Sequence, residues 1–379
     1  MWLCHFAQPP RGGGRRLSSA LGALFRKCGF ATFLNPRGGR PAPAGLGALL
    51  RPGDSATRHN PLGRLLALVL AQVLAGLVCL PVGAQVQRAT VAMPLHQVGA
   101  RVWMVQGQSA LGSALNQGFV SNAGFVVTDG GVLVVDGLGT PALAQRLLEA
   151  IATVTAQPVR YVVVTHYHAD HIYGLQAFKA AGATIVGHVA ARDYLGSDTA
   201  RNRLAASREE LFPWIDETTR LVEPDLWVDG ATTLRLGSTL FELHPVGPAH
   251  TPEDLTVTVV GAGVVFSGDL VFNGRVPFVG GADSGRWMAS LDRLLALRPQ
   301  RVVPGHGPVS TDPASDLRQT RDYLAHLRAT MGQAARDLEP FEQAYAQADW
   351  SRFEAWPLFR LVNRMNAYNT YLLMEQQAR

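Results

Sequence analysis

Cysteine is almost missing from the sequence, and its few copies are confined to one end. The three cysteines among the 379 residues, Cys4, Cys28 and Cys79, all lie within the first 84 positions. A chain that starts after Ala84 holds no thiol, which excludes structural disulfides and thiolate metal ligands from the rest of the protein. This composition is compatible with an oxidising compartment.

Acidic residues are almost absent from that leading segment. Residues 1–84 contain ten Lys/Arg and one acid, Asp54; taking these from the 34 basic and 29 acidic residues of the chain leaves 24 and 28, a net charge of −4 for residues 85–379. The body therefore carries no general signal for binding a polyanion, and no nucleic-acid partner is expected. The hydrophobic content of the whole chain, 47%, suits a globular protein with a sizeable core.

The apolar segment from Leu65 to Leu80 is short for a membrane span. It follows Arg64 and is followed by the small-residue pattern Val82-Gly83-Ala84. This layout predicts a secretory signal cleaved after Ala84, and with it a periplasmic or secreted protein. The alternative is an uncleaved membrane anchor, although a spanning helix needs about 20 apolar residues and this run contains Gln72. Such a segment is the only membrane contact that we expect.

The chain divides into three predicted parts. Residues 1–84 are a leader and signal segment that is removed, and within it residues 1–62 are rich in Arg, Gly, Pro and Ala. That composition favours a start codon assigned too far upstream, with an organellar transit peptide as the alternative. Residues 85–312 form the main domain, and residues 313–379 form a helical extension.

Short β-forming runs alternate with helical patterns along the main domain. The predicted strands are Val102–Gln106, Gly124–Thr128, Val132–Asp136, Tyr161–Thr165, Ala183–Gly187, Thr233–Leu236, Leu240–Pro245, Leu255–Val260, Val264–Ser267 and Arg301–Val303. The predicted helices are Pro141–Thr155, Tyr173–Ala181, Val189–Tyr194, a helix-rich insertion at 198–220, and Trp287–Leu297. Two β-rich halves, each flanked by helices, predict a four-layered α/β arrangement. Periodicity leaves open whether the helices after Pro313 pack on this domain or cover its mouth.

A run of metal-binding side chains, HYHADH at His166–His171, directly follows a predicted strand. A loop that leaves the end of a strand can point His166 and His168 to one side and Asp170 and His171 to the other, so that two adjacent ions share one loop. Imidazole and carboxylate ligands suit Zn²⁺, and Fe or Mn²⁺ nearly as well. The alternative is a solvated polar loop whose histidines bind nothing.

This run resembles the H-x-H-x-D-H motif of the metallo-β-lactamase superfamily, and the other segments of that pattern follow in order. They are Pro248–Pro252 with a third histidine, Phe266–Asp269 with an aspartate that bridges both metals, and Pro304–Gly307 with a last histidine. Earlier in the chain, Asp136-Gly137 matches the aspartate that supports the ligand loop. The resemblance spans about residues 98–310. It implies an α/β fold, the metallo-β-lactamase αββα sandwich, with a C-terminal helical extension.

The resemblance also implies two metal ions, for which zinc is expected and Fe or Mn are alternatives. Carried over one by one, the ligands of the first ion are His166, His168 and His250, those of the second are Asp170, His171 and His306, and Asp269 and a hydroxide lie between the two. That hydroxide is the expected nucleophile. The implied activity is a dinuclear metal-dependent hydrolysis of an ester, thioester, lactone or amide.

Two residues are assigned catalytic roles. Asp170 is expected to orient the nucleophile in addition to binding metal. Tyr173 is expected to donate a hydrogen bond to an oxyanion, with packing in the core as the alternative.

The ligand set is more similar to that of glyoxalase II and lactonases than to that of β-lactamases, because Asp269 stands where one β-lactamase subclass has cysteine. Members that accompany periplasmic quinoprotein or sulfur-oxidation systems are also similar. Hydrolysis of β-lactams is an alternative. A mononuclear iron oxidoreductase acting on persulfides is another, although such a site does not need His171 or His306.

The substrate is expected to be a small molecule, and no protein partner can be inferred. The helical extension offers Arg360 and Arg364 to an anionic substrate, unless they belong to a solvated face. The stretch Gly107–Gly118 is predicted to form a flap beside the site. Phe212–Trp214 is predicted to line an apolar cleft or to pack against the domain.

Overall fold

The computed structural model describes residues 87–378. The predicted signal segment, its cleavage point after Ala84 and the leader therefore lie outside the described residues. Within residues 87–378, no helix combines the length and apolar character that a membrane span requires.

The first sheet contains seven strands in the order in which they occur along the chain. They are β1 (Leu95–Gly99), β2 (Val102–Val105), β3 (Ala123–Thr128), β4 (Gly131–Val135), β5 (Val159–Val163), β6 (Thr184–His188) and β7 (Leu226–Val228). Strands β1 to β4 form an antiparallel meander, with the tight turn Asp129-Gly130 between β3 and β4, and of these four strands β1 was not predicted. From β4 to β7 the pairing is parallel, so helical segments connect these strands.

The second sheet contains five strands, in the order β12-β11-β10-β9-β8. They are β8 (Thr232–Leu236), β9 (Thr239–Pro245), β10 (Leu255–Val259), β11 (Val264–Phe272) and β12 (Arg301–His306). Neighbours from β8 to β11 are antiparallel, whereas β12 runs parallel to β11. Strand β11 is buried along its whole length, and it continues beyond the predicted end at Ser267.

Nine helices lie among the described residues. They are α1 (Pro141–Val154), α2 (Ala169–Ile172), α3 (Leu175–Ala180), α4 (Ala191–Leu195), α5 (Asp198–Glu210), α6 (Ser284–Ala296), α7 (Pro313–Arg336), α8 (Phe341–Gln347) and α9 (Phe359–Ala378). Helix α1 begins where Thr140 accepts a hydrogen bond from the N–H of Leu143 and Pro141 takes the first helical position. The predicted helix Tyr173–Ala181 corresponds to α3, and the short helix α2, which was not predicted, precedes it within the ligand loop.

Three apolar clusters explain why these elements stack in four layers. One lies between the sheets and joins residues such as Val163 of β5 and Val257 of β10. A second covers the outer face of the first sheet with α1 and its neighbours, and a third covers the outer face of the second sheet. The structure confirms the predicted metallo-β-lactamase αββα sandwich with C-terminal helices.

The helical extension shares the third cluster. Leu324 and Leu327 of α7 and Val362 of α9 are buried together with Leu291 of α6 and Val271 of β11. The extension therefore packs on the second sheet through a continuous apolar core, which answers the question that periodicity left open.

The two sheets are joined at the edge where β5 and β12 end. The N–H of Asn122 donates to the carbonyl of Gly305 at 2.8 Å, and its side-chain amide donates to the carbonyls of Pro304 and Gly307, each at 2.8 Å. From the opposite direction, the N–H of Leu255 donates to the carbonyl of Thr165 at 2.8 Å. These bonds fix the loop after β5 and the end of β12 within the two joined sheets, and both segments carry predicted metal ligands.

Candidate metal centre

The seven predicted metal ligands come from four separate segments and lie together at this edge. They form two groups, His166, His168, His250 and Asp269 in one and Asp170, His171 and His306 in the other, and within each group the ligand atoms lie within 4.8 Å of one another. We call the three histidines of the first group, His166, His168 and His250, the histidine group, and the three residues of the second the mixed group. Asp269 contacts histidines of both groups.

The local backbone explains how one loop serves both groups. His168 is extended, with φ −81° and ψ 152°, and it directly precedes α2. Asp170 and His171 lie within that short helix. The change from extended to helical backbone turns the second pair of side chains away from the first pair. This is the division that the sequence predicted.

The histidine group is closely packed. The Nε2 atom of His250 lies 2.9 Å from Nδ1 of His168, and the ring of His166 meets both rings edge-on. The indole of Trp287 packs 5.0 Å from the ring of His250, and Phe278 lies beside the same ring and that of His168. Aromatic packing therefore fixes the orientation of these imidazoles.

The mixed group reaches solvent through one half-buried side chain, Asp170, as the histidine group does through His168. The Nε2 atom of His306 lies 3.3 Å from Oδ2 of Asp170, and that of His171 lies 3.8 Å from the same oxygen. The Asp170 side chain is 26% exposed, whereas the side chain of His171 is fully buried. The carboxylate of Asp170 thus stands on the open side of the cluster.

Asp269 occupies the centre. Its carboxylate oxygens lie 3.2 Å from Nε2 of His171, 3.3 Å from Nε2 of His306 and 3.3 Å from Nε2 of His250. The neighbouring glycine explains how it fits there, because a Cβ atom on Gly305 would overlap this carboxylate. One carboxylate therefore contacts histidines of both groups, as a bridging ligand must.

The unsatisfied polar atoms fit a metal centre. Nε2 of His166, Nε2 of His171 and Oδ1 of Asp269 are buried and have no hydrogen-bond partner. Buried polar atoms without partners are costly, and metal coordination removes that cost. Nitrogen and oxygen donors in this number suit zinc or a similar divalent ion.

The protonation states of His166, His168 and Asp269 also fit, whereas, although burial opposes it, contact with the Asp269 carboxylate raises the pKa of His171 and of His250. Burial and the neighbouring imidazole of His250 lower the pKa of His168 to about 3, and burial with the neighbouring His171 keeps the pKa of His166 well below its usual value. Although burial opposes its charge, the histidines His306 and His171 keep the pKa of Asp269 well below its usual value. Two neutral imidazoles and an ionised carboxylate are the forms that bind metal.

Other groups contact the Nδ1 atoms of the ligand histidines and so orient their rings. Oδ2 of Asp136 lies 2.9 Å from Nδ1 of His171, and its Oδ1 accepts a hydrogen bond from the N–H of Thr165 at 2.8 Å. Nδ1 of His306 donates to the carbonyl of Val120 at 2.8 Å. Such contacts hold Nδ1 protonated and leave Nε2 available to a metal. Asp136 thus supports the ligand loop in the place that the sequence predicted.

Two buried acids, which sequence analysis did not single out, support the histidine group. Oε1 of Glu253 accepts a hydrogen bond at 3.1 Å from the N–H of Tyr167, between the two loop histidines. Asp254 accepts the N–H of Thr251 at 2.8 Å, next to His250. Burial raises the pKa of Glu253 to about 7 and that of Asp254 to about 6.

Tyr173, directly after α2, is a core residue. It is completely buried within the apolar cluster beneath the first sheet, and burial raises the pKa of its hydroxyl. This is the environment of the alternative interpretation, a residue packed in the core, so the predicted oxyanion contact has no support from the geometry.

The other predicted substrate-binding residues are scattered. Arg360 and Arg364 are exposed, and Arg364 forms an ion pair with Glu342. The indole N–H of Trp214 donates to the carbonyl of Ala114 at 2.8 Å. The predicted flap is therefore attached to the segment around Phe212–Trp214.

The residue that sequence analysis missed is Arg275. It is buried, only 5% exposed, and it stands directly beside His306. A signal was present in the sequence, since Arg275 is a charged residue six positions after Asp269 within the otherwise uncharged stretch 270–282.

The sandwich and its cluster of five histidines and two aspartates define a metal-binding protein with a hydrolase-type fold. The profile of the metallo-beta-lactamase superfamily matches residues 116–306, about half of the chain, and this range contains all seven ligands. The chain belongs to the metallo-beta-lactamase superfamily.

Individual relatives within this superfamily are distant. The chain is 27% identical over 229 residues to a metallo-beta-lactamase type 2 from Bacillus sp. (strain 170), covering 59% of this chain and 80% of the relative. It is 26% identical over 233 residues to a linear primary-alkylsulfatase from Pseudomonas sp. (strain ATCC 19151), covering 52% of this chain but only 44% of the relative. The solved structure of a stereoselective inverting sec-alkylsulfatase from Pseudomonas sp. shares the fold, with a TM-score of 0.58, 16% identity, and coverage of 74% of this chain and 50% of that one.

Proposed function

We propose that the protein is a dinuclear metal-dependent hydrolase of an ester, thioester, lactone or amide. The observation that carries the proposal is the position of Asp269, whose carboxylate contacts His250 of the histidine group and both histidines of the mixed group. A carboxylate between two sets of imidazoles suits two adjacent ions better than one.

Each group has a separate part in this reaction. His166, His168 and His250 would hold the first ion, and Asp170, His171 and His306 the second, with Asp269 shared. Two bound ions supply a nucleophilic water at neutral pH and Lewis acidity at the scissile group. Trp287 and Phe278 keep the histidine group in place, while Asp136 keeps His171 oriented.

Asp170 is the group proposed to position the water. Burial opposes its charge, but His171 and His306 outweigh this and lower the pKa of Asp170. The ionised carboxylate stands on the open side of the cluster, where its oxygens can accept hydrogen bonds from an incoming water and orient it.

Zinc is proposed as the metal, because neutral imidazoles and carboxylates are its usual oxygen and nitrogen ligands, although Fe and Mn²⁺ bind the same atoms. The likeness to a metallo-beta-lactamase and to an alkylsulfatase supports hydrolysis as the reaction class. It does not select the substrate, since the chain spans less than half of the alkylsulfatase.

Export to the periplasm or the medium is part of the proposal and rests on the signal layout around Ala84. Determining the N-terminus of the protein recovered from each cell fraction tests it. Recovery of the intact leader in the cytoplasm would contradict it.

The activity is tested on the chain from residue 85 onward, loaded with zinc. We expect two zinc ions per chain by elemental analysis, and turnover of members of a panel of thioesters, lactones and β-lactams. His168→Ala should abolish that turnover, whereas the matched control His188→Ala, a half-buried histidine outside the cluster, should retain it. One iron per chain with no hydrolysis would replace this proposal by the mononuclear oxidoreductase.

A further inference from the structure

Phe278, in the loop between β11 and α6, borders the opening of the histidine group. Its neighbours Pro277 and Val279 are buried, whereas Phe278 is half-buried. Its ring centre lies 6.3 Å from that of His168, with the two rings edge-on. Since His168 is the half-buried member of the histidine group, that group reaches solvent beside this ring. Phe278 therefore offers an apolar surface at the opening of the metal centre.

The helical extension holds the backbone on both sides of Phe278. The side chain of Asn366, in α9, accepts a hydrogen bond from the N–H of Val279 at 3.0 Å and donates one to the carbonyl of Pro277 at 2.7 Å. One amide thus spans the residue between them. A shift of the Phe278 backbone therefore requires that at least one of these two buried bonds break, which is costly.

Asn366 is itself fixed in the core of the extension. Its side chain is completely buried, and its amide nitrogen also donates to the hydroxyl of Tyr323, in α7, at 2.9 Å. That hydroxyl donates in turn to the side-chain oxygen of Asn363 at 2.8 Å. Because the amide uses both its nitrogen and its oxygen, it cannot turn over without losing bonds. The loop is thus referred to two long helices.

The space beside the ring of Phe278 is kept open by Gly280. A Cβ atom at Gly280 would lie 3.0 Å from Cε1 of the ring, closer than an ordinary contact. The ring therefore occupies a position that a larger residue at 280 would deny it. It lies between this glycine and the imidazole of His168.

We propose that Asn366 is a positioning residue, which holds Phe278 where its ring packs against an apolar acyl group of the substrate. This inference rests on the proposed hydrolase function and deepens it, because an acyl group is common to esters, thioesters, lactones and amides. None of the seven metal ligands lies in the helical extension. The part of the extension in the reaction is therefore to set selectivity through the loop that it holds.

The test compares p-nitrophenyl acetate with p-nitrophenyl hexanoate, which share a leaving group, on the zinc-loaded protein. The readout is the ratio of kcat/KM for the hexanoate ester to that for the acetate ester. We expect Phe278→Ala to lower this ratio about tenfold, because it removes apolar contacts of the longer chain. Phe278→Leu, which keeps an apolar side chain, should lower it less. Asn366→Ala should lower the ratio by roughly threefold or more, as the ring loses its fixed position.

Asn363→Ala is the matched control. Asn363 is as deeply buried as Asn366 in the same helix, but it bonds the hydroxyls of Tyr323 and Tyr345 instead of the loop. It should lower stability and leave the ratio unchanged. In the Phe278→Ala background, Asn366→Ala should change the ratio no further, because the amide acts through this ring. If Asn366→Ala does not fold, Asn366→Ser takes its place, since serine is too short to bond both sides of the loop.

Binding of acetate and of hexanoate, the two acid products, to the zinc-loaded protein gives a readout that does not depend on turnover. Titration calorimetry should show that hexanoate loses its advantage over acetate in Phe278→Ala and in Asn366→Ala but keeps it in Asn363→Ala. Zinc content, measured for each variant, should stay at two ions per chain.

Two results would overturn the inference and leave the hydrolase proposal standing. One is an unchanged ratio in Phe278→Ala; the other is a further fall when Asn366→Ala is added to Phe278→Ala. If neither ester is hydrolysed but hexanoate binding depends on Phe278 and Asn366, the hydrolase proposal fails while the apolar site is retained.

Discussion

The histidine group and the mixed group differ in how their ligands are held. The histidine group consists of imidazoles alone, packs against Trp287 and Phe278, and is supported by buried acids that contact only backbone and hydroxyl groups. The mixed group contains a carboxylate, is supported directly by Asp136, and borders the buried Arg275. Aromatic packing therefore fixes the ligands of the histidine group, and direct contact with a carboxylate fixes a ligand of the mixed group.

We expect the greatest loss of metal and of activity when a ligand of the histidine group is removed. His168→Ala removes one of its three imidazoles, so we expect the metal content to fall from two ions to about one per chain. Hydrolysis should fall on the order of 1000-fold or more, because a bound metal supplies several kcal/mol of transition-state stabilisation. Elemental analysis and initial rates measure both. A variant that keeps two ions and full activity would show that His168 is not a ligand.

We expect the next largest loss of activity from Gly305→Ala, because it displaces Asp269, the residue that contacts both groups. The added Cβ would overlap the Asp269 carboxylate and the backbone of Gly268, so the bridging position must change. We expect activity to fall by roughly 100-fold, since small displacements at a reacting centre have effects of that size. Gly281→Ala is the matched control, because nothing lies near its added Cβ. Equal activity in the two variants would contradict the central position of Asp269.

We expect Asp136→Asn to weaken metal binding by the mixed group and to leave the histidine group unchanged. The amide keeps an acceptor for the N–H of Thr165 but does not retain the carboxylate next to Nδ1 of His171. We expect the affinity for the second metal to fall about 10- to 100-fold, as for other supporting carboxylates. Competition with a chelator should remove the ion of the mixed group early, while the ion of the histidine group stays bound. The exposed Asp193→Asn serves as the control; identical metal release in both variants would argue against a supporting role for Asp136.

The part of the centre that sequence analysis found is the part carried by local motifs. The loop His166–His171 contains four ligands within six positions, and the sandwich follows from strands whose periodicity is regular. Strand β7, at Leu226–Val228, was missed because three residues carry too little pattern. Strand β11 runs through Gly268 and Asp269, where a glycine followed by an acid indicated an end; Gly268 instead adopts φ +51° beside Thr165 within the strand.

What sequence analysis missed depends on contacts between distant positions. Asn122 joins the two halves by bonding Pro304, 182 positions away, and nothing near Asn122 in the sequence indicates this. Sequence analysis named Arg360 and Arg364 but not Arg275, because composition cannot show which arginine is buried. Tyr173 was favoured for its place after the ligand loop, but the turn from α2 to α3 carries it into the core.

The smallest effect on activity is expected from Glu253→Gln, which tests the support of the histidine group. Glutamine keeps an oxygen to accept the N–H of Tyr167, so we expect turnover to change by less than about threefold. Stability should change instead. Burial raises the pKa of Glu253 from 4.5 to about 7, so the folded protein binds this proton more tightly than the unfolded chain. The stabilisation from this group is complete below pH 4.5 and is lost as the pH rises through 7.

Urea unfolding of the metal-free wild type should therefore show a free energy of unfolding that declines across this interval by up to about 3 kcal/mol more than that of Glu253→Gln. Asp254 titrates in both proteins, so the difference between them isolates Glu253. The exposed Glu209→Gln should follow the wild type. If the Glu253→Gln and wild-type profiles run parallel, Glu253 is not held protonated by burial, and it accepts the hydrogen bond from Tyr167 as an ionised carboxylate.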